Sequence, residues 1–254
     1  MRILILVQST DNPFYQPLIQ SQKETWDSIQ HPDIDVVYYK NSLINEGLND
    51  NTLEVLHNNR TDNAFFVLMK AIRFMLRKGS WDYIIKTDNS VYVNKEATYN
   101  LLLNKPREKY FGGFPITHDK LSEESKKDFP PDIKFLWGEF MIMSRDCAVY
   151  LVDKFNKAPL KGLGCDDVIV SHLLENYCTW DESINIGTDE NDLSHCSYRV
   201  RRANLMISPM FIKPDNIKEI ISNDISIMHK IHNTIINGKD KDKHREVLSE
   251  EAQN

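Results

Sequence analysis

The residues best suited to chemistry follow a short apolar run near the middle of the chain. Tyr83–Ile85 favours a strand, Lys86–Ser90 is polar, and Val91–Val93 favours a strand again. A polar cluster cannot lie inside a sheet without partners, so we expect it at the carboxyl end of a buried strand, where open α/β sheets bind ligands. There the Asp88 carboxylate could hold a hard cation, which would hold phosphate oxygens. The same residues would also suit an ordinary polar turn.

A second strand end is expected at the same edge of the sheet. Ile3–Val7 is continuously apolar, as in a central parallel strand that is covered on both faces. Gln8, Ser9 and Thr10 follow it directly. Because these residues end a parallel strand, they should lie beside whatever is bound at that edge.

Other elements must hold these two strand ends in place. The strongest helix begins at Thr61 or Asp62, ends before Gly79, and carries one apolar stripe at helical spacing: Phe65, Leu68, Met69, Ile72 and Leu76. Further strands are predicted at 34–39, 109–114 and 135–143, and further helices at 18–29, 95–104, 144–157 and from 165 onward. Residues 41–59 are expected to form a loop with a short helix.

The C-terminal part of the chain is more polar. Strands are predicted at 206–212 and 225–228, with a short helix at 214–222 between them. Gly238–Asn254 is charged and poor in apolar residues, so it is expected to be a disordered tail.

Length and composition limit the kind of protein. The chain has 254 residues and a net charge of −6, which suits one α/β domain and argues against a nucleic-acid surface. No apolar stretch is long enough to span a bilayer, and the first strand begins at Ile3, which leaves no room for a signal peptide. We therefore expect a cytoplasmic protein without a transmembrane anchor.

The four cysteines contain no C-x-x-C pair, which argues against a structural zinc site; they are Cys147, Cys165, Cys178 and Cys196. In a cytoplasmic protein they are expected to be free thiols.

Several segments, taken together and in order, resemble the beta-1,3-glycosyltransferases, a family that includes beta-1,3-galactosyltransferases, beta-1,3-N-acetylglucosaminyltransferases and Fringe. Ile85–Asn94 (IKTDNSVYVN) is similar to the family's K-T-D-D-D-V-F-V-N segment. The other matching segments are Gln22–Trp26 (QKETW), Asp62 with Lys70, Tyr110–Gly113 (YFGG), Pro130–Asp146 (ending WGEFMIMSRD) and Asp166–Val170 (DDVIV). Together they cover residues 2–175, approximately.

The resemblance implies a glycosyltransferase-A fold and an inverting transfer of a sugar from a UDP-sugar donor to a hydroxyl of a glycan or glycoprotein acceptor. The expected fold is one Rossmann-like domain over 1–237, with a central mostly parallel sheet flanked by helices. Its nucleotide-binding part would be about 1–94 and its acceptor-binding part about 95–237. The resemblance also implies a divalent metal, Mn²⁺ or Mg²⁺.

The metal ligands that the resemblance implies are Asp88 and, secondarily, Ser90. A histidine from the C-terminal region usually completes the family's metal site, and three are available: His195, His229 and His232. His229 is the preferred candidate because it directly follows the predicted strand at 225–228.

The catalytic base that the resemblance implies is Asp167, with Asp166 beside it. A base of this kind removes the proton of the acceptor hydroxyl. In the alternative interpretation, Asp166 only caps a helix and Asp167 only complements its dipole.

The donor contacts that the resemblance implies lie in four places: Gln8, Ser9 and Thr10; Lys70; Lys86, Thr87, Asp88 and Asn89; and Gly138 with Glu139. The lysines among them could meet the diphosphate. Trp137 could stack on an acceptor sugar or belong to the core. The basic cluster Arg199–Arg202 is expected to be a solvated face.

Two residues depart from the family's pattern. Ser90 stands where the third acidic residue is usual, and a neutral hydroxyl is a poor ligand for a hard cation, so metal binding is expected to be weakened. Glu139 stands where glycine is usual. The alternative function is therefore a catalytically weak relative that binds a nucleotide sugar or glycan without efficient turnover.

Overall fold

The computed structural model describes residues 1–57, 64–121, 123, 125–127, 129–155, 166–189, 192, 194–200 and 214–251. Its helices are α1 (Gln16–Glu24), α2 (Ala64–Lys78), α3 (Lys95–Leu102), α4 (Arg145–Lys154), α5 (Asp166–Leu174) and α6 (Pro214–Glu251). Its strands are β1 (Ile3–Gln8), β2 (Ile34–Ser42), β3 (Gly47–Asn49), β4 (Thr52–Leu56), β5 (Tyr83–Thr87), β6 (Val91–Val93), β7 (Tyr110–Thr117), β8 (Lys134–Ser144), β9 (Thr179–Asp181) and β10 (Ser197–Arg199).

Eight of these strands form one central sheet in the order β3-β4-β2-β1-β5-β8-β7-β9. The neighbours β4, β2, β1 and β5 run parallel, and β8 runs antiparallel between β5 and β7. The expected α/β fold, a mostly parallel sheet flanked by helices, is confirmed. The carboxyl ends of β1 and β5 are therefore neighbours, as the site prediction requires.

Helices cover both faces of this sheet because β1 buries alternate side chains on opposite sides. Leu4 and Leu6 pack with α2, α4 and α5, whereas Ile3 and Ile5 pack with α1, α3 and α6. The predicted stripe of α2 is confirmed: its first four members are fully buried, and Leu76 is half-buried.

A small antiparallel sheet of β6 and β10 lies beside the large one. Its second strand falls in a polar region where no strand was predicted. Asn94 N donates to Cys196 O at 2.9 Å, and Val200 N donates to Ser90 O at 3.0 Å. These hydrogen bonds therefore hold Ser90 and Asn94, the two residues that flank β6.

Three expectations about chain segments differ from the structure. Residues 41–59 contain the end of β2 and the strands β3 and β4 instead of a loop with a short helix. Residues 225–228 were predicted as a strand but lie inside α6. The prediction failed because periodicity alone cannot distinguish a short apolar strand from a buried stretch of helix. The same helix continues through 238–251, where a disordered tail was expected. The strand predicted at 206–212 lies outside the described residues.

In the part of the chain that the structure describes, no helix combines the length and the apolarity needed to cross a bilayer.

Candidate functional site

The loop Asp88–Ser90 follows β5 at the carboxyl edge of the parallel strands. The Asp88 carboxylate accepts two hydrogen bonds on the same oxygen, Oδ1: from Ser90 N at 2.8 Å and from Ser90 Oγ at 2.7 Å. Ser90 is only 1% exposed. Its hydroxyl therefore orients the carboxylate, a role different from the ligand role expected for it.

A buried glutamine on α1 hydrogen-bonds the backbone of the same loop. Gln22 is fully buried, and its Nε2 donates to Asp88 O at 3.1 Å and to Val91 O at 2.9 Å. Together with the bond from Val200 to Ser90, these contacts fix the loop from two separate elements. Gln22 was part of a matching segment but had no predicted role.

Lys86, on β5, is a buried cation in the middle of the site. Its Nζ donates to Gly138 O at 2.6 Å and lies 3.3 Å from Asp166 Oδ2. Burial alone would lower the pKa of Lys86, but the carboxylate of Asp166, with smaller contributions from its neighbours, raises that pKa above its ordinary value. Lys86 is therefore charged at neutral pH, and it joins β5 to the first residue of α5.

Asp167 is held by the backbone of β8. Its Oδ2 accepts from Gly138 N at 3.2 Å, and its Oδ1 accepts from Val168 N at 3.0 Å. Both candidate carboxylates are thus linked to Gly138. Asp167 accepts from its amide, and Asp166 pairs with Lys86, which donates to its carbonyl. The helix beginning predicted here is confirmed, and it places the pair beside the end of β5.

Gly138 allows this convergence because it has no side chain. A Cβ atom there would lie 3.0 Å from Lys86 Nζ and 3.1 Å from Asp167 Cβ, closer than nearly all real contacts of this kind. Gly138, which was predicted to bind the donor, is therefore the residue at which β5, β8 and α5 approach one another closely.

The next residues of β8 meet β10. Arg199 Nε lies 3.3 Å from Glu139 Oε1, and the Arg199 guanidinium lies 4.4 Å from the centre of the Trp137 ring. Thr87 Oγ1 donates to Glu139 O at 2.7 Å. The expectation that Arg199 belongs to a solvated face is wrong, since its side chain is 19% exposed and is packed on both neighbours. Arg201 and Arg202 lie outside the described residues.

A polar cavity of about 350 Å³ opens where β1 and β2 end. It is lined by the predicted residues Gln8, Ser9 and Thr10, and by Asp11, Asn12, Tyr39, Lys40, Asn41, His57, Ala64 and Val67. The placement of the first three at a ligand-sized cavity agrees with the prediction from the strand end.

Tyr39 connects this cavity to the charged cluster. It lines the cavity, yet its hydroxyl is buried and has no hydrogen-bond partner among the described residues. Burial raises the pKa of Tyr39 above its ordinary value, with Lys86 opposing this effect and Asp166 and Asp88 adding to it. The charges of the cluster therefore act on a side chain that lines the cavity.

Lys70 and the three candidate histidines lie in other surroundings. Lys70 Nζ donates to Leu56 O, the end of β4, at 2.7 Å. His229 lies on α6 one turn before His232, whose Nδ1 is 3.2 Å from the Tyr92 hydroxyl. His195 Nε2 lies 3.2 Å from an Asp192 carboxylate oxygen.

The described residues contain no group of three or more His, Cys, Asp or Glu side chains that could hold a metal ion. Asp88 is therefore the candidate ligand that the structure places at the strand edge.

Sequence reasoning missed Gln22, Tyr39 and Arg199. Tyr39 could have been found, because it ends the parallel strand predicted at 34–39; in the structure it pairs with Gln8 of β1. Gln22 and Arg199 act on residues that are 66 and 60 positions away, 88 − 22 and 199 − 139, and nothing in their local sequence marks those contacts.

No protein-family model matches the chain, and no curated protein matches it either. Three solved structures are similar in chain path. One is a glycosyltransferase involved in the glycosylation of the major capsid of PBCV-1, with a TM-score of 0.47 and 12% identity over 87% of this chain and 100% of that one. Another is the mannosyltransferase PcManGT from Pyrobaculum calidifontis in complex with GDP-Man and Mn²⁺, with a TM-score of 0.44 and 13% identity over 94% and 75%.

The third is the galactosyltransferase LgtC in complex with donor and acceptor sugar analogs, with a TM-score of 0.37 and 11% identity over 67% of this chain and 70% of that one. At these scores and identities no residue role follows from the likeness.

Proposed function

We propose that this protein is an inverting glycosyltransferase that moves a sugar from a UDP-sugar to a hydroxyl of a glycan or glycoprotein. One observation carries the proposal: a ligand-sized polar cavity opens at the carboxyl edge of the parallel strands, and Tyr39 in its lining feels the charges of Lys86, Asp166 and Asp88. Sites in open α/β sheets lie at such edges. The choice of UDP, of the acceptor class and of inversion rests on the sequence resemblance to the beta-1,3-glycosyltransferases.

The cavity beyond β1 and β2 is assigned to the nucleotide. Its lining offers polar side chains that can donate and accept hydrogen bonds, including those of Gln8, Ser9 and Asn41. From there the diphosphate would extend toward Asp88 and the Lys86 cluster, which lie beside Tyr39. The sugar would then meet the end of α5.

Asp167 is assigned as the general base. In the reaction the acceptor oxygen bonds to the anomeric carbon, the bond from that carbon to the diphosphate oxygen breaks, and Asp167 takes the hydroxyl proton. The amide of Gly138 fixes the carboxylate, and the N-terminus of α5 favours its ionised form. Such a base contributes about 10²–10⁴-fold to the rate.

Asp88 suits a divalent cation that is also held by the donor's phosphates. Mg²⁺ is often bound by one or two carboxylates plus substrate phosphates, and Asp88 supplies one carboxylate whose Oδ1 is already oriented by Ser90. The described residues do not fit a cage made by protein side chains alone. A cation bound in this way would stabilise the departing diphosphate.

The alternative is a relative that binds the donor without efficient turnover. The observation that favours it is the Ser90 hydroxyl, which donates to Asp88 and leaves one carboxylate in the loop Asp88–Ser90. This alternative shares the cavity and differs only in the chemical step.

One experiment separates the two functions. Calorimetry and thermal shift with UDP and UDP-sugars, with and without Mn²⁺, measure binding, because a ligand of the native state raises its stability. Product formation from a UDP-sugar with simple glycan acceptors measures transfer, and the anomeric configuration of the product measures inversion. Binding with transfer supports the enzyme, binding without transfer supports the alternative, and no binding at millimolar donor contradicts both.

A further inference from the structure

Two cysteines from different elements meet on the side of the sheet that carries α4 and α5. Cys147 lies in the first turn of α4, and Cys178 lies between α5 and β9. Both pack in the same hydrophobic cluster, and neither is in a disulfide. The Cys178 thiol donates to Leu174 O at 3.3 Å, and each of the two thiols influences the pKa of the other. The two cysteines thus lie in one cluster and act on each other.

Two tyrosines fix this neighbourhood from one side. Tyr177, which precedes Cys178, stacks on Tyr150 of α4 with ring centres 3.9 Å apart and planes at 14°. Its hydroxyl donates to Asp146 Oδ2 at 3.3 Å, next to Cys147. The residues beside the two thiols are therefore joined to each other.

Hydrogen bonds to the backbone of Lys109 also hold the segments of Cys147 and Cys178 together. Thr179, which follows Cys178, donates from its N to Lys109 O at 2.8 Å. Lys109 N in turn donates to the Asp146 carboxylate at 3.1 and 3.0 Å. Ser144 Oγ donates to the Cys147 sulfur at 3.3 Å. The approach of the two thiols follows from several contacts instead of a single side-chain conformation.

A small oxidant can reach this place from solvent. Cys178 is half-buried, whereas Cys147 is fully buried. A cavity of about 610 Å³ opens beside them and is lined by Asp146, Tyr150 and Tyr177, among others. Cys178 is therefore the thiol that a dissolved oxidant meets first.

We propose that Cys147 and Cys178 form a dithiol that hydrogen peroxide converts into an intramolecular disulfide. Peroxide that enters past Cys178 gives one oxygen to the Cys147 thiolate to form a sulfenic acid, and the hydroxide that leaves takes up the Cys147 proton to form water. The Cys178 thiol then attacks that sulfur, the S–O bond breaks, and the departing hydroxide leaves as water with the proton that Cys178 gives up. Two thiols and one peroxide thus give one disulfide and two waters.

The surroundings of Cys147 suit the first of these steps, whereas the pKa of Cys178 is raised above its ordinary value, chiefly by its contact with Cys147. The contact with Cys178 is the main reason why the pKa of Cys147 lies below its ordinary value, and the Ser144 hydroxyl adds to this effect against the cost of burial. The thiolate is the nucleophile in this chemistry. Cys196 offers the contrast, because burial raises its pKa to about 11.

The test uses the full-length protein, first reduced and then exposed to hydrogen peroxide. Free thiols are alkylated afterwards, and peptides are mapped by mass spectrometry. The expected product is a cross-link between the Cys147 and Cys178 peptides, lighter by about 2 Da than the dithiol and reversed by dithiothreitol. The melting temperature of the oxidised protein should rise, on the order of 5 °C, because the cross-link constrains the unfolded chain.

Matched variants decide the pairing. Cys147→Ala and Cys178→Ser should each abolish the cross-link, whereas Cys196→Ser and Cys165→Ser should keep it. Circular dichroism of each reduced variant establishes that it is folded, and the wild-type map is decisive if one of them is not. A cross-link to another cysteine, a sulfinic acid at Cys178 without a cross-link, or thiols that survive peroxide would overturn the proposal. None of these outcomes depends on sugar transfer.

Discussion

The loops that follow β1 and β5 lie at the same edge of the sheet, yet they are built differently. After β1, the side chains of Thr10 and Asn12 hydrogen-bond backbone amides within the same short segment, at 3.2 and 3.1 Å. After β5, the loop Asp88–Ser90 is tied to α1 through Gln22 and to β10 through Val200. The side-chain bonds of the first loop, including one from Lys40 of β2 to Asp11 at 2.7 Å, are exposed, whereas the bonds that Gln22 makes to the second loop are wholly or partly buried.

If the proposed function holds, this difference divides the site into a catalytic part and a donor-binding part. A catalytic group must be held closely in its productive geometry by supporting residues, which the β5 side provides. A nucleotide pocket can tolerate a more adaptable wall, which the β1 side provides. Damage to the supports of the β5 side should therefore lower turnover, whereas damage to the β1 side should weaken donor binding.

The largest effect is expected for Asp167→Asn. The amide keeps the shape of the side chain but cannot take the acceptor proton, so turnover should fall about 10²–10⁴-fold while donor affinity and melting temperature stay near wild type. Steady-state kinetics, calorimetry and thermal melting measure the three quantities. Asp166→Asn is the paired control, and a larger selective loss in that variant would move the base one residue back.

Gly138→Ala should have the next largest effect. The new methyl would lie against Lys86 Nζ and Asp167 Cβ, so both side chains would shift, and turnover should fall about 10–100-fold. Gly47→Ala is the matched control, because its Cβ would meet nothing within 4 Å. Equal activity of the two variants would show that the close approach at Gly138 does not position the base.

Gln22→Ala tests the distant support of the Asp88 loop. It would leave two backbone carbonyls without their donor, so stability should fall by about 1–3 kcal/mol and more Mn²⁺ should be needed for activity. Gln20→Ala on the same helix removes only an exposed bond to Glu24 and should change neither quantity. Chemical denaturation measures the loss of stability, and metal titration measures the Mn²⁺ requirement. An unchanged Mn²⁺ requirement would show that Gln22 does not support the metal site.

Thr10→Ala should have the smallest effect. Its hydroxyl accepts one bond at 3.2 Å within an adaptable loop, so donor affinity should weaken by no more than about tenfold. Turnover at saturating donor should be unchanged, as expected for a contact that binds substrate and transition state equally. A selective loss of turnover would contradict the division between the two loops.

The elements that position the site were largely predictable from local sequence. The unbroken apolar run of β1 and the stripe of α2 that ends before Gly79 are periodic signals, and both elements lie where they were predicted. Asp88 follows β5 directly, as local sequence predicted, whereas Asp167 was chosen from the family resemblance and lies in the first turn of α5.

What local sequence could not show was which distant residues support the site. Arg199 looks like part of a charged cluster, and only the pairing of β10 with β6 reveals that it packs on Trp137. The strands within 41–59 were missed because β3 and β4 lie at the sheet edge, where their polar residues are tolerated. The apolar run at 225–228 was assigned to the wrong element because its length suits a strand or a helix.

The hydrogen bond from Val200 N to Ser90 O has a consequence for solution measurements. This amide directly follows β10, and its acceptor is the last residue of the loop that carries Asp88. Its exchange with deuterated solvent requires that the loop separate from β10, so the exchange rate reports how often the loop opens. A ligand that binds Asp88 only in the closed arrangement would slow exchange at this one amide, without any label or substitution.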